Sequence, residues 1–213
     1  MNILLTGGSG LLGSQLIPIL GKKRDWKVIA PPHKLLDITQ APITSYQGID
    51  LLIHCAAYTK VEQAEIDRQE CFETNVNGTF NLLLAYPKVP FVFISTEYAH
   101  RPINFYSLTK RLAEHVVTYQ ATPYLIIRTL FKPRPFPHPK AFTDMFTLGD
   151  YADKIASKIY YAISEWQEDK KSKLIYIGTG RKSMFELAKE TRPDVEPMSI
   201  KDIKTVKLPS DYQ

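Results

Sequence analysis

Thr6-Gly7-Gly8-Ser9-Gly10-Leu11-Leu12-Gly13 is the stretch on which the reading of this chain turns. Upstream of it, Asn2 to Thr6 is a short apolar run, and downstream Leu11 to Leu20 has the pattern of a helix. Glycines at 7, 10 and 13 permit a tight strand-to-helix turn and bring backbone amides close to an anion, while the helix N-terminus adds a positive dipole end. Three spaced glycines alone are a weak signal, but between a strand and a helix they become specific. Gly7, Ser9, Gly10, Leu11, Leu12 and Gly13 are therefore candidates for holding the pyrophosphate of a dinucleotide.

Further along, Trp26 to Ala30 reads as a second strand, stopped by Pro31-Pro32. Asp50 to Cys55, Val89 to Ser95 and Tyr124 to Thr129 are apolar runs with little alternation, as expected of strands covered on both faces. Helical stretches lie between them, at Val61 to Tyr86 with an interruption and at Phe105 to Tyr119. This alternation predicts an α/β fold with a doubly wound parallel sheet.

The texture changes after Thr129. Lys132-Pro133-Arg134-Pro135-Phe136-Pro137-His138-Pro139 alternates proline with other residues and cannot be helix. It marks an internal boundary between a Rossmann core at 1–131 and a reduced substrate lobe at 132–213, packed on the core and partly rejoining its sheet. In that second segment a helix is expected at about Asp150 to Trp166, a strand at Lys173 to Ile177 and a helix at Met184 to Glu190. The basic residues Lys132, Arg134, His138 and Lys140 suit either an exposed polyproline strip or a phosphate clamp.

The chain has 213 residues, enough for one continuous core, and its 44% hydrophobic and 23% charged residues are ordinary for a globular protein. The net charge of +5 comes partly from runs such as Lys22-Lys23-Arg24, which suit a solvated face, and no motif points to nucleic acid. Cys55 and Cys71 lack metal-ligand spacing, so no metal site is expected. No stretch approaches the ~20 apolar residues of a membrane span, and the start lacks a basic leader, so a cytoplasmic location is the default expectation.

An acidic residue ending the second strand would favour NAD(H) by binding the ribose 2′-hydroxyl. Here the sequence is Ala30-Pro31-Pro32-His33-Lys34, without a carboxylate, so NADP(H) is expected over NAD(H). His33 and Lys34 equally suit an exposed loop.

Several strings then occur in order: Leu36-Asp37-Ile38-Thr39, His54-Cys55-Ala56-Ala57-Tyr58-Thr59, Thr74-Asn75-Val76-Asn77-Gly78, Ile94-Ser95-Thr96-Glu97-Tyr98, Tyr106-Ser107-Leu108-Thr109-Lys110 and Ile127-Arg128-Thr129. Together they resemble the dTDP-4-dehydrorhamnose reductase family of extended short-chain dehydrogenases, over roughly residues 1–131. The resemblance implies that Asp37 and Ile38 flank an adenine, that Cys55, Ala56, Ala57 and Tyr58 pass beside the cofactor riboses, and that Asn75 braces the helix below. Plain packing also accounts for Asn75 and Tyr58.

Tyr106 and Lys110 are four apart in a predicted helix and share a face. A phenol is a poor acid at neutral pH, and a nearby ammonium favours its ionised form. By the resemblance, Tyr106 exchanges the proton, Lys110 also holds the nicotinamide ribose, and Thr96 polarises the carbonyl. Glu97 stands where these reductases often carry aspartate, and Tyr98 follows it, so the acid pair of the related dehydratases is absent and reduction is expected over dehydration. As a substrate contact Glu97 competes with a solvent-facing loop carboxylate. Phe131 takes the place of the family's aromatic near the sugar, and Arg134 is the third substrate candidate. Nine residues separate Thr96 from Tyr106, fewer than the family's usual excursion.

The expected activity is thus an NADP(H)-dependent reductase of a nucleotide-linked 4-keto sugar. A sugar-nucleotide epimerase and a non-catalytic dinucleotide-binding partner subunit are the alternatives. Relatives of this kind often dimerise through paired helices; a homodimer fits the resemblance, although no heptad argues for it.

Overall fold

A computed structural model describes residues 1–43 and 45–211; the last two positions of the 132–213 segment lie outside the described residues. The first half runs β1 (Asn2–Thr6), α1 (Gly13–Leu20), β2 (Lys27–Ile29), β3 (Leu51–His54), α2 (Arg68–Phe72), α3 (Gly78–Ala85), β4 (Phe91–Thr96), α4 (Phe105–Gln120) and β5 (Tyr124–Thr129). The second half follows with β6 (Phe131–Lys132), β7 (Lys140–Phe142), β8 (Phe146–Thr147), β9 (Asp150–Tyr151), α5 (Ala152–Asp169), β10 (Lys173–Tyr176), β11 (Lys182–Ser183), α6 (Met184–Lys189) and β12 (Glu196–Met198).

Six strands form one parallel sheet in the order β10-β5-β4-β3-β1-β2. The order reverses between β1 and β3, which opens a crevice at their carboxyl ends, the usual ligand position in such sheets. Side-chain alternation explains the two helix layers. Ile3, Leu5, Ile53 and Ile127 pack with Leu16 of α1 and with Ile155, Ile159 and Trp166 of α5. Leu4, Leu52, Phe93 and Ile126 face the other way, onto Leu82 of α3 and Val117 of α4. The interruption expected in Val61 to Tyr86 is a π-helical turn at Glu73–Asn77, between α2 and α3.

β10 pairs with β5 in parallel, Lys173 opposite Leu125, so the late part of the chain supplies an edge of the main sheet. The remaining short strands pair locally: β6 with β9, β7 with β12, and β8 with β11. They surround a second core of Phe136, Ala141, Met145, Tyr151, Met184 and Leu187. The proline-alternating segment is therefore not a free exposed strip. Phe136 is buried in this second core, and the register of Phe131 with Asp150 fixes where the segment starts.

Candidate active site

The turn after β1 closes through a bond from the Gly10 amide to the Gly7 carbonyl (3.0 Å). Gly7 has φ +71°, and a Cβ there would come within 2.6 Å of the Ala56 amide nitrogen, so both backbone conformation and close approach require glycine. Gly13 is equally constrained, its hypothetical Cβ lying 2.2 Å from the Gly7 carbonyl oxygen. Gly10 differs: a Cβ there would meet only that same oxygen, at 3.1 Å, and would otherwise project into open space. The N-terminus of α1 has no side-chain cap and no acid in its first turn. An uncapped helix end beside a glycine cradle fits a phosphate group.

A cleft of about 520 Å³ lies over this turn. Gly7, Ser9, Gly10, Leu11, Leu12 and Gly13 line it on one side. His33, Ile38, Cys55, Ala56 and Ala57 continue the wall, and Phe131, Lys132 and His138 close the far end. Two expected cofactor neighbours are engaged elsewhere. Asp37 accepts bonds from the amide (3.0 Å) and hydroxyl (2.7 Å) of Thr39 and has His33 at 3.6 Å; these partners outweigh burial and lower its pKa. Tyr58 donates its hydroxyl to Asp67 (3.0 Å). Neither lines the cleft.

Asn75, on the π-helical turn, joins the post-β3 loop to α4. Its Oδ1 accepts from the Tyr58 amide (2.9 Å), and its Nδ2 donates to the Tyr58 carbonyl (3.3 Å) and to Thr109 Oγ1 (3.0 Å). Below it, His54 lies between Thr6 Oγ1 (2.7 Å) and Thr79 Oγ1 (3.1 Å), and burial holds it at about 3, hence neutral. This buried chain of polar side chains keeps the strand ends in fixed positions.

Thr96 ends β4, and α4 begins at Phe105 behind a reciprocal cap: Asn104 Oδ1 accepts from the Ser107 amide (2.8 Å), and Ser107 Oγ accepts from the Asn104 amide (3.2 Å). The cap sets Tyr106 in the first turn, where its phenol hydrogen-bonds Thr96. Lys110, one turn on, donates to the Ile94 carbonyl (2.9 Å) and rests over the Phe93 ring at 4.2 Å. Thr96, Tyr106 and Lys110 are thus one buried group. Tyr98 stacks edge-on against Tyr106 at 6.4 Å and lines a second cavity; Cys55, which lines the first, is within electrostatic reach of Lys110.

One expectation about this group is corrected. Lys110 does not acidify the phenol: burial raises Tyr106 to about 12, while the Thr96 bond pulls the other way. Burial also lowers Lys110 to about 8, and its ammonium is taken up by the backbone of β4. Tyr106 is accordingly a protonated phenol at neutral pH.

Glu97 is not solvent-facing either. It is fully buried and accepts bonds from the Thr147 hydroxyl (2.8 Å) and the Leu148 amide (3.1 Å), so it ties β4 to the β8 turn. Burial raises it to about 7 against these bonds. Arg134 pairs with Asp153 of α5 at 3.6 Å and covers the Tyr151 ring at 4.3 Å, away from both cavities. The second cavity, of about 650 Å³, was not foreseen. Val61, Phe136, Met145, Met184, Met198 and Tyr98 give it an apolar lining, with Lys60, Lys132, His138 and Lys140 at its polar margin. Only the basic residues of the proline segment hinted at it in the sequence. Among the described residues no cluster could hold a metal ion, and no helix is long and apolar enough to cross a membrane.

A crevice at the sheet's switch point and a glycine-cradled helix end define a Rossmann-type, doubly wound α/β class of protein, with a buried Thr–Tyr–Lys group beside the sheet's carboxyl edge. Residues 1–131 match the family described as the RmlD substrate binding domain, and the chain belongs to that family. It is 30% identical to a GDP-6-deoxy-D-talose 4-dehydrogenase of Aggregatibacter actinomycetemcomitans, over 64% of this chain and 52% of that protein. To a dTDP-4-dehydrorhamnose reductase of Mycolicibacterium smegmatis it is 28% identical, over 60% and 44%. The match thus spans about half the length of these relatives. Among solved structures, a dTDP-4-dehydrorhamnose reductase ortholog of Clostridium acetobutylicum superposes with TM-score 0.86 at 23% identity, covering 99% of this chain and 88% of that one. The enzyme of the same name from Bacillus anthracis, solved with NADP, gives 0.81 at 24% identity, covering 98% and 88%. These similarities show the fold.

Proposed function

We propose that the chain is an NADP(H)-dependent reductase of a nucleotide-linked 4-keto sugar, with Tyr106 as the proton donor. The observation that carries this reading is the buried Thr96–Tyr106–Lys110 group at the carboxyl end of β4: it lines neither cavity itself but meets the second through Tyr98, whose ring packs on Tyr106. The bound nicotinamide supplies the hydride. The chain's own residues do the rest. The turn from Gly7 to Gly13 holds the pyrophosphate, Ala56 and Ala57 leave room for the riboses, and Lys110 exchanges its carbonyl partner for ribose hydroxyls. Thr96 and Tyr106 share a hydrogen bond that a substrate carbonyl oxygen would join, and the protonated phenol then delivers its proton there.

Preference for NADP(H) is supported at the end of β2. No carboxylate follows Ile29, His33 lines the cleft, and the nearest acid, Asp37, is occupied by Thr39 and His33. Phe131, at the cleft's far end, is the aromatic next to the sugar.

A second reading, a dinucleotide-binding subunit without turnover, is favoured by one observation: Tyr106 is only 9% exposed and Lys110 3%. Purified protein incubated with NADPH and a panel of 4-keto nucleotide sugars separates the two. Substrate-dependent loss of absorbance at the reduced-nicotinamide band is the expected result. Saturable NADPH binding with no loss for any sugar leaves the second reading standing and removes the first.

A further inference from the structure

Thr59, Lys132 and His138 line both cavities and so form the neck between them. Lys132 stands on β6, its backbone registered to Tyr151 of β9, which fixes where the side chain enters the neck. Three other lysines of the second half have carboxylate partners: Lys140 has Glu196 at 3.1 Å, and Lys154 and Lys182 each have Asp150 and Glu190 within 3.1 Å. Lys132 makes no hydrogen bond or ion pair among the described residues, although burial lowers its pKa. A half-buried ammonium without an acceptor is costly unless a ligand supplies the negative charge. His138 beside it is oriented by an edge-on contact with Phe136 at 5.7 Å, and burial together with Lys132 keeps its pKa low, so it is a neutral hydrogen-bonding partner. Glu62 is the one carboxylate among the described residues lining the second cavity, and it acts on His138 in the opposite direction.

We propose that Lys132, with His138 and Thr59, is the seat of the substrate's diphosphate and selects nucleoside-diphosphate-linked sugars over free ones. This rests on the nucleotide-sugar reading above. The cofactor's own phosphates belong elsewhere by geometry. Its pyrophosphate seat is at the end of β1, three strand spacings from β5, or about 14 Å, and the β2 end that meets a 2′-phosphate is one spacing further. Lys132 follows β5 directly, at the end of the cleft opposite His33.

The test is calorimetric titration of the NADP⁺-saturated protein with dTDP and UDP, and with thymidine and uridine as phosphate-free controls. Lys132→Gln is expected to weaken the diphosphates by at least about tenfold, leave the nucleosides and NADP⁺ unchanged, and remove the salt dependence of diphosphate binding. Lys132→Arg, which keeps the charge, retains affinity and guards against a folding defect. Undiminished dTDP and UDP binding by Lys132→Gln overturns the assignment while leaving the nucleotide-sugar reading intact. Weakened NADP⁺ binding with unchanged diphosphate binding overturns it in favour of the cofactor. A wild-type protein that binds NADP⁺ and neither diphosphate removes the nucleotide-sugar reading itself.

Discussion

From β1 to β5 the strands offer alternate apolar residues to two helix layers, and the polar groups among them serve the cleft. From β6 to β12 the strands are two to four residues long, and carboxylates pin them together. Asp150 accepts from the Tyr151 amide (2.7 Å) and the Thr179 hydroxyl and pairs with Lys154 and Lys182, both at 3.1 Å. Asp144 holds Ser199 and the Ile200 amide, and Glu97 reaches across from the first half to Thr147 and Leu148. The first half gains its order from burial that any apolar pattern can supply. In the second, order depends on particular acids, each costly to leave unpaired.

The glycine turn gives the sharpest way to break the comparison. Gly13→Val would drive side-chain atoms into the Gly7 carbonyl, so both folding and NADP⁺ binding should fail. Gly10→Val points into the cleft and should lose NADP⁺ affinity on the order of a hundredfold or more while the melting temperature holds. If calorimetry shows both variants equally unstable, the distinction between cradle and scaffold is wrong. Next in size, Tyr106→Phe should lower kcat about a thousandfold and leave the NADPH dissociation constant within about twofold. A rate near that of the wild type would remove Tyr106 from the chemistry.

Two smaller effects address the acid pins. Asp150→Asn should cost about 3 kcal/mol in urea unfolding at pH 7. Its carboxyl is held at about 2, against an ordinary value of 3.8, so this contribution is complete above pH 4 and fades as pH falls towards 2. Equal midpoints for variant and parent at pH 7 would show that the pin carries no stability. Glu97 has the opposite sign. Its folded value of about 7 lies above the ordinary 4.5, so the native state holds the extra proton and stability declines as pH rises from about 4.5 to 7. Glu97→Gln should flatten that decline, gaining about 1–3 kcal/mol relative to the parent at pH 8 compared with pH 5. Parallel pH profiles for the two proteins would contradict it.

The difference between the halves also explains what could be read from the sequence. Apolar runs such as Leu51–His54 and Phe91–Thr96 announce themselves because both faces of each strand are covered. Tyr106 and Lys110 were visible through their spacing and through Thr96 upstream. The failure of Lys110 to acidify Tyr106 was not, because burial of the phenol, set by residues far apart in the sequence, raises its value. Pairings such as Lys140 with Glu196 or Lys182 with Thr147 join segments far apart, through strands too short for any periodicity. Arg134 looked like an anion ligand by charge alone, whereas Asp153 on α5 had already claimed it. The capture of Asp37 by Thr39 had a local signal, an acid two residues before a threonine, that favours an Asx-type turn.

β6 and β9 lie side by side, Phe131 opposite Asp150 and Lys132 opposite Tyr151, so the two ends of the excursion between them meet, while β7 and β8 inside it pair with β12 and β11 far along the chain. Both ends are anchored just past Thr129, the β5 residue opposite Thr96, and α5 then resumes the sheet's own wrapping. An excursion rooted in this way forms one unit with the segment from β11 to β12, with which it shares a core. The two segments can be rewritten together, by evolution or by grafting from another chain, to reshape the second cavity without disturbing the six-stranded sheet beneath it.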